Sequence, residues 1–128
     1  MRHVSGVVTV AVLAILAVAC DSGPEGPGEL TGALQVADEP VGALLLEVAG
    51  SGIEGFSGAG GARVFWEESQ SADTYRVIVV GDGGGSPSFH VSVRDVGARK
   101  PRATVISVAG PDNLPRPVTQ DYKVRFTR

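Results

Sequence analysis

An all-β chain folded as a single β-sandwich is the fold class that three features of the sequence predict. Glycine and proline together take 26 of the 128 positions, which resists long helices. From residue 30 onward the apolar residues fall in short runs or in strict alternation, the period of strands rather than helices. Turn-forming clusters separate the runs: Gly50-Ser51-Gly52, Gly81-Asp82-Gly83-Gly84-Gly85-Ser86-Pro87 and Gly110-Pro111-Asp112-Asn113. Seven strands at this spacing suit two packed sheets.

The strands are expected at residues 30–36, 43–49, 63–68, 74–80, 88–94, 103–109 and 121–127. A helix over 43–49 would last only two turns between Gly42 and Gly50, so Leu44, Leu45 and Leu46 are assigned to a strand. Residues 51–61 read as a Gly-rich excursion. In 63–68 the two faces separate Val64 and Trp66 from Arg63, Phe65 and Glu67, which sends Trp66 to the core and leaves Phe65 among charges. Val77, Ile78, Val79 and Val80 make 74–80 apolar on both faces, so it is expected to be a central strand covered on both sides. Two strands alternate cleanly and should each have one wet face: Phe89, Val91 and Val93 against His90, Ser92 and Arg94, and Tyr122, Val124 and Phe126 against Lys123, Arg125 and Thr127.

Ahead of this domain, Arg2 and His3 precede an uncharged, mostly apolar stretch of 16 residues, 4–19. A spanning helix needs about 20, so a secretory signal helix fits better than a permanent anchor. The stretch ends Leu16-Ala17-Val18-Ala19-Cys20, which resembles the lipobox of bacterial lipoproteins. The resemblance implies that Cys20 carries a diacylglyceryl group and becomes the mature N-terminus, commonly with a further acyl chain. Several chains anchor far better than one. The competing reading is a general signal peptide cut near Ala19, which leaves Cys20 a free thiol. Cys20 is the single cysteine, so no intrachain disulfide stabilises the domain. Asp21 resembles an inner-membrane retention signal of enteric bacteria, and the choice between inner and outer membrane stays open. Residues 21–28 hold Gly and Pro but nothing apolar, and form a tether of about 26 Å when extended. The expected organisation is therefore a signal peptide at 1–19, a lipidated cysteine and tether at 20–29, and a sandwich at 30–128.

The strand from Gly42 to Gly50, the excursion at 51–61, Tyr75-Arg76-Val77-Ile78-Val79-Val80-Gly81, the strand ending Val93-Arg94-Asp95, and Ala103-Thr104-Val105-Ile106-Ser107-Val108 together resemble the cohesin-like sandwiches of exported bacterial proteins. An immunoglobulin-like sandwich is the other fold of this kind. The cohesin resemblance implies a binding module that grasps a protein or a saccharide on a sheet face or at loop ends.

Size and charge narrow the function. At 13.1 kDa the chain has no room for a two-domain enzyme. A net charge of -3 lacks the basic footprint of a nucleic-acid binder. His90 is the sole histidine after the signal segment, too little for transition-metal ligation, and no cofactor is implied. Ser57 in Gly55-Phe56-Ser57-Gly58-Ala59 fails the nucleophile-elbow pattern because residue 59 is Ala. The 81–86 loop lacks the Gly-Lys-Ser/Thr ending and the helix that would hold a phosphate. Asp38-Glu39 and Glu67-Glu68 are sequence neighbours, which point to opposite faces of a strand and make no facing dyad.

Charge is unevenly distributed. Residues 21–73 hold ten acids and one base, whereas 74–128 hold four acids and nine bases. Strands of the two halves that interleave in a sandwich would neutralise one another. The sharper alternative is one basic face made by Arg94, Arg99, Lys100, Arg102, Lys123 and Arg125, meeting anionic lipid, an acidic polymer or an acidic protein. Phe65, Arg94, Arg99, Lys100 and Arg102 are the candidate ligand-binding residues. These readings together predict an envelope lipoprotein, exported and lipid-anchored to a bacterial membrane, acting as a binding or structural module without catalysis. The expected partners are the membrane, through the anchor, and an envelope protein or glycan. The alternative is a carbohydrate-processing hydrolase or accessory domain using carboxylates gathered from loops.

Overall fold

The computed structural model describes residues 25–35, 40–83 and 86–128. The signal segment, Cys20, the tether up to residue 24, and Asp38-Glu39 lie outside the described residues. Among the described residues there is no helix, and nine strands form two antiparallel sheets. They are β1 (Gly28–Gln35), β2 (Ala43–Ala49), β3 (Ile53–Ala59), β4 (Arg63–Glu68), β5 (Thr74–Val80), β6 (Ser88–Val93), β7 (Arg102–Ala109), β8 (Pro115–Arg116) and β9 (Lys123–Thr127). The first sheet runs β3-β6-β1-β9 and the second β4-β5-β2-β7-β8. The predicted β-sandwich is the fold observed.

All seven expected strands form, and two more join them. β3 lies inside the stretch read as a Gly-rich excursion. Its glycines weaken local strand propensity, but β6 pairs with it from Ile53 to Ala59 and the long-range ladder overrides that weakness. Gly58 is required where β3 turns back into β4, because a methyl group there would overlap the carbonyl of Ala62. Gly60 and Gly61 close this hairpin with φ of 58° and 86°, the left-handed pair that a tight turn demands. β8 has only two residues, too short for any periodicity to reveal.

The core is the space between the inner faces. Leu30 and Leu34 of β1, Leu44, Leu46 and Val48 of β2, Val77 and Val79 of β5, and Phe89, Val91 and Val93 of β6 are all buried. Phe89 is fully buried, meeting Phe126 edge-on with ring centres 5.9 Å apart. Its ring reaches β1 because residue 32 is glycine: a Cβ there would lie 2.5 Å from Cζ of Phe89.

Two expectations about burial are corrected. β5 is interior to its sheet, between β4 and β2, yet it is covered on one side only, and Ile78 is 44% exposed. A sandwich has two layers, so the outer face of even a central strand meets water. Trp66 points inward, 5.4 Å from Phe56 and 5.9 Å from Tyr75, but stays 41% exposed. It belongs to β4, the sheet's edge, where no neighbouring strand closes over the ring.

Strands of the acidic first half alternate with strands of the basic second half throughout the first sheet and from β4 to β7 in the second, as the interleaving account expects, and only β8 pairs with a strand of its own half. The strand ends fall at two ends of the sandwich. One end gathers the start of β1, the 50–52 and 69–73 loops and the 94–101 loop.

Candidate functional site

The outer face of the second sheet carries an apolar row. Phe65 of β4 pairs with Ile78 of β5, and Ile78 pairs with Leu45 of β2. Directly opposed residues of antiparallel strands have Cβ atoms about 4.5–5.5 Å apart, so the three side chains form one continuous stripe. Phe65 is 57% and Ile78 44% exposed. Next along the row, a bulge in β7 leaves Ile106 without a pairing position on β2, between Val105 opposite Leu46 and Ser107 opposite Leu45. The bulge lets Val105 and Val108 both turn inward and puts Ile106 outside, 41% exposed.

One step along the strands a charged row runs parallel to the stripe, Glu67 opposite Arg76 and Arg76 opposite Glu47. Together Leu45, Phe65, Trp66, Glu67, Arg76 and Ile78 line a shallow open depression of about 380 Å³. The depression thus sets exposed apolar side chains beside a row of alternating charge. Phe65 therefore sits in a row of apolar neighbours and not merely among charges. The sequence signal for that row was the second apolar phase of β5, which had been assigned to a covered face, and Leu45 in the apolar run of β2.

A second depression of about 600 Å³ is lined by Glu47, Glu67, Glu68, Ser69, Gln70, Ser71 and Arg76. It brings together on one face two carboxylates from different strands, Glu67 and Glu47, which sequence adjacency could not pair. They stand two strand spacings apart, about 10 Å between backbone positions. Arg76 occupies the interval between them.

The outer face of the first sheet is polar and fine-grained. His90 of β6 faces Thr31 of β1 on one side and Ser57 of β3 on the other. Its Nδ1 lies 3.3 Å from Thr31 Oγ1 and 3.8 Å from Glu29 Oε2. Both contacts use Nδ1, so Glu29 and the hydroxyl of Thr31 compete for one nitrogen instead of forming the relay through both nitrogens that an activated hydroxyl needs. Ser57 does lie on a strand, opposite the histidine, but on an open sheet face.

The six bases of the proposed basic face do not form one surface. Arg94, Arg99, Lys100 and Arg102 belong to the β6–β7 connection and the first residue of β7, at the end where β1 begins. Lys123 and Arg125 pair with Gln35 and Ala33, on the outer face of the first sheet and toward the other end. Arg94 lies toward Tyr75, whose phenol pKa is raised by burial first and then by Glu68 and Asp73, with Arg94 acting in the opposite direction. Among the described residues no group of His, Cys, Asp or Glu is arranged to hold a metal ion.

No protein-family profile, curated protein or solved structure matches the chain.

Proposed function

We propose that this chain is a lipid-anchored protein of the bacterial cell envelope whose sandwich is a binding module, and that its recognition surface is the apolar row of Phe65, Ile78, Leu45 and Ile106. One observation carries the reading: three apolar residues from three strands align in register on a solvent-facing sheet, with an aromatic ring at the edge strand. A chain that gains nothing from this face would lower its aggregation hazard by placing polar residues there. The aliphatic stripe flanked by Glu67, Arg76 and Glu47 favours a protein partner, since apolar contacts supply affinity while alternating charges fix register. The grasping role implied by the cohesin-like resemblance supports the same reading.

A photoreactive phenylalanine at position 65 tests it in intact envelopes. A protease-sensitive adduct from position 65, absent when the same residue replaces Ser57 on the other sheet, is the expected result. Equal labelling from both positions, or none from either, would overturn the assignment of the face.

The alternative hydrolase reading expects carboxylates gathered from loops, whereas the two that share one face, Glu47 and Glu67, lie on strands with Arg76 between them. Arg76 stands where the substrate oxygen would have to lie, which favours the binding role. Turnover of an envelope glycan that disappears in Glu67→Gln would reverse this preference.

A further inference from the structure

We infer that the apolar row receives a second copy of this chain, with the outer faces of the two five-stranded sheets packed about a two-fold axis that runs parallel to the strands between β5 and β2. The inference rests on the reading of this row as the recognition surface and names its partner.

The register sets four strands side by side on this face, β4, β5, β2 and β7, and aligns their outward residues in rows. The apolar row reads Phe65, Ile78 and Leu45 with Ile106 beyond, and the charged row reads Glu67, Arg76, Glu47 and Thr104. A two-fold axis along the strands lays each row over the same row of the second copy and reverses the order of the strands. Ile78 then covers the partner's Leu45, Leu45 covers the partner's Ile78, and Phe65 meets the partner's Ile106 at each end. In the charged row Arg76 meets the partner's Glu47 and Glu47 the partner's Arg76, which makes two ion pairs, while Glu67 meets the partner's Thr104. The other bases of this face meet neutral residues: Arg63 lies over the partner's Ala109, and Arg102 over the partner's Ser69. Aligned sheets cross at about 30°, which moves the outermost pairs by about 4 Å along the strands, less than the row spacing of about 7 Å.

Charge selects this axis. An axis on β5 would set Arg76 against the partner's Arg76, and one on β2 would set Glu47 against the partner's Glu47, juxtapositions that oppose binding. An axis across the strands would lay Arg76 over the partner's Val80 and send the two tethers in opposite directions. With the axis along the strands, the ends at which β1 begins coincide, so two copies anchored at Cys20 face one bilayer. An isologous dimer needs one patch that complements itself about a two-fold axis, and this row arrangement supplies it.

Four strands about 4.8 Å apart, seven residues long at about 3.4 Å each, give about 450 Å² of face per copy, the low end of specific interfaces. Such a contact is weak in free solution. Two copies confined to one membrane gain the effective concentration that it lacks.

The test uses the full chain in intact envelopes, expressed as two copies with different C-terminal tags, one of them carrying a photoreactive phenylalanine in place of Ile106. An adduct that bears both tags and twice the mass of the chain is the expected result. Arg76→Glu in both copies, or Glu47→Arg in both, should lower its yield about tenfold. Arg76→Glu in one copy and Glu47→Arg in the other should restore it, because one ion pair is then reversed and the other kept. Thr104→Arg changes an exposed residue and should raise the yield about threefold by pairing with the partner's Glu67. A mixed pair that labels no better than the matched pairs overturns the assignment of a second copy. Where the swapped chains do not accumulate, a Thr104→Arg yield equal to that of the parent overturns it instead. An adduct with a different protein alone also overturns it and leaves the row as a recognition surface. Absence of any adduct from both position 106 and position 65 overturns both readings.

Discussion

Replacing Phe65 by alanine separates recognition from folding, because the ring is 57% exposed yet lies at the head of the apolar row. A phenylalanine side chain offers about 200 Å², so about 110 Å² of it is available for a partner to cover. At about 25 cal/mol per Å², that burial contributes about 3 kcal/mol, a change of about a hundredfold in Kd. The same substitution removes only the cross-strand contact with Ile78, a loss of about 0.2–1 kcal/mol for the fold. The assay is calorimetric titration of the partner captured at position 65, with urea denaturation of both proteins as the control. The reasoning predicts an affinity lowered about a hundredfold beside a nearly unchanged urea midpoint. A Kd within threefold of the parent, in a variant that folds normally, would refute the assignment of the row as the recognition surface.

Three further outcomes follow from the same structure. Gly32→Ala should destabilise the domain by about 1–3 kcal/mol in urea titrations, because its methyl group meets a Phe89 ring that is fully buried and packed against Phe126. Tyr75 has its pKa raised above the usual 10, chiefly by burial, so the unfolded chain releases the phenol proton first. The tyrosine's contribution is then complete below pH 10 and lost as pH rises through the folded value, and Tyr75→Phe should flatten this alkaline limb in pH-dependent denaturation. Cys20→Ser should abolish incorporation of labelled palmitate in cells, and incorporation equal to that of the parent would refute lipidation at this residue.

Much of the sandwich was legible because alternation is a local property. Phe89, Val91 and Val93 alternate with His90 and Ser92, and one phase is buried as the pattern requires. β3 escaped because its strand character comes from pairing with β6, 29 to 40 residues away, and its glycines satisfy the hairpin that follows. Ile78 was misassigned to a covered face since an apolar residue in the second phase of a strand carries no mark of whether a third layer exists. Val108 joins Val105 on the inner face because of a bulge, whose position depends on the register between β7 and β2.

The sequence by itself determined the strand-rich class, the positions of seven strands, the exposure of Phe65 and the Gly/Pro character of the segment before the domain. Each of these depends on residue type and near-neighbour spacing. Only the tertiary structure decided that Phe65, Ile78 and Leu45 share one row, that Glu47 and Glu67 flank Arg76, and that the six bases split between the end where β1 begins and the outer face of the first sheet. Those facts depend on strand order and register, which long-range pairing sets through the burial of inner faces and which no local pattern encodes.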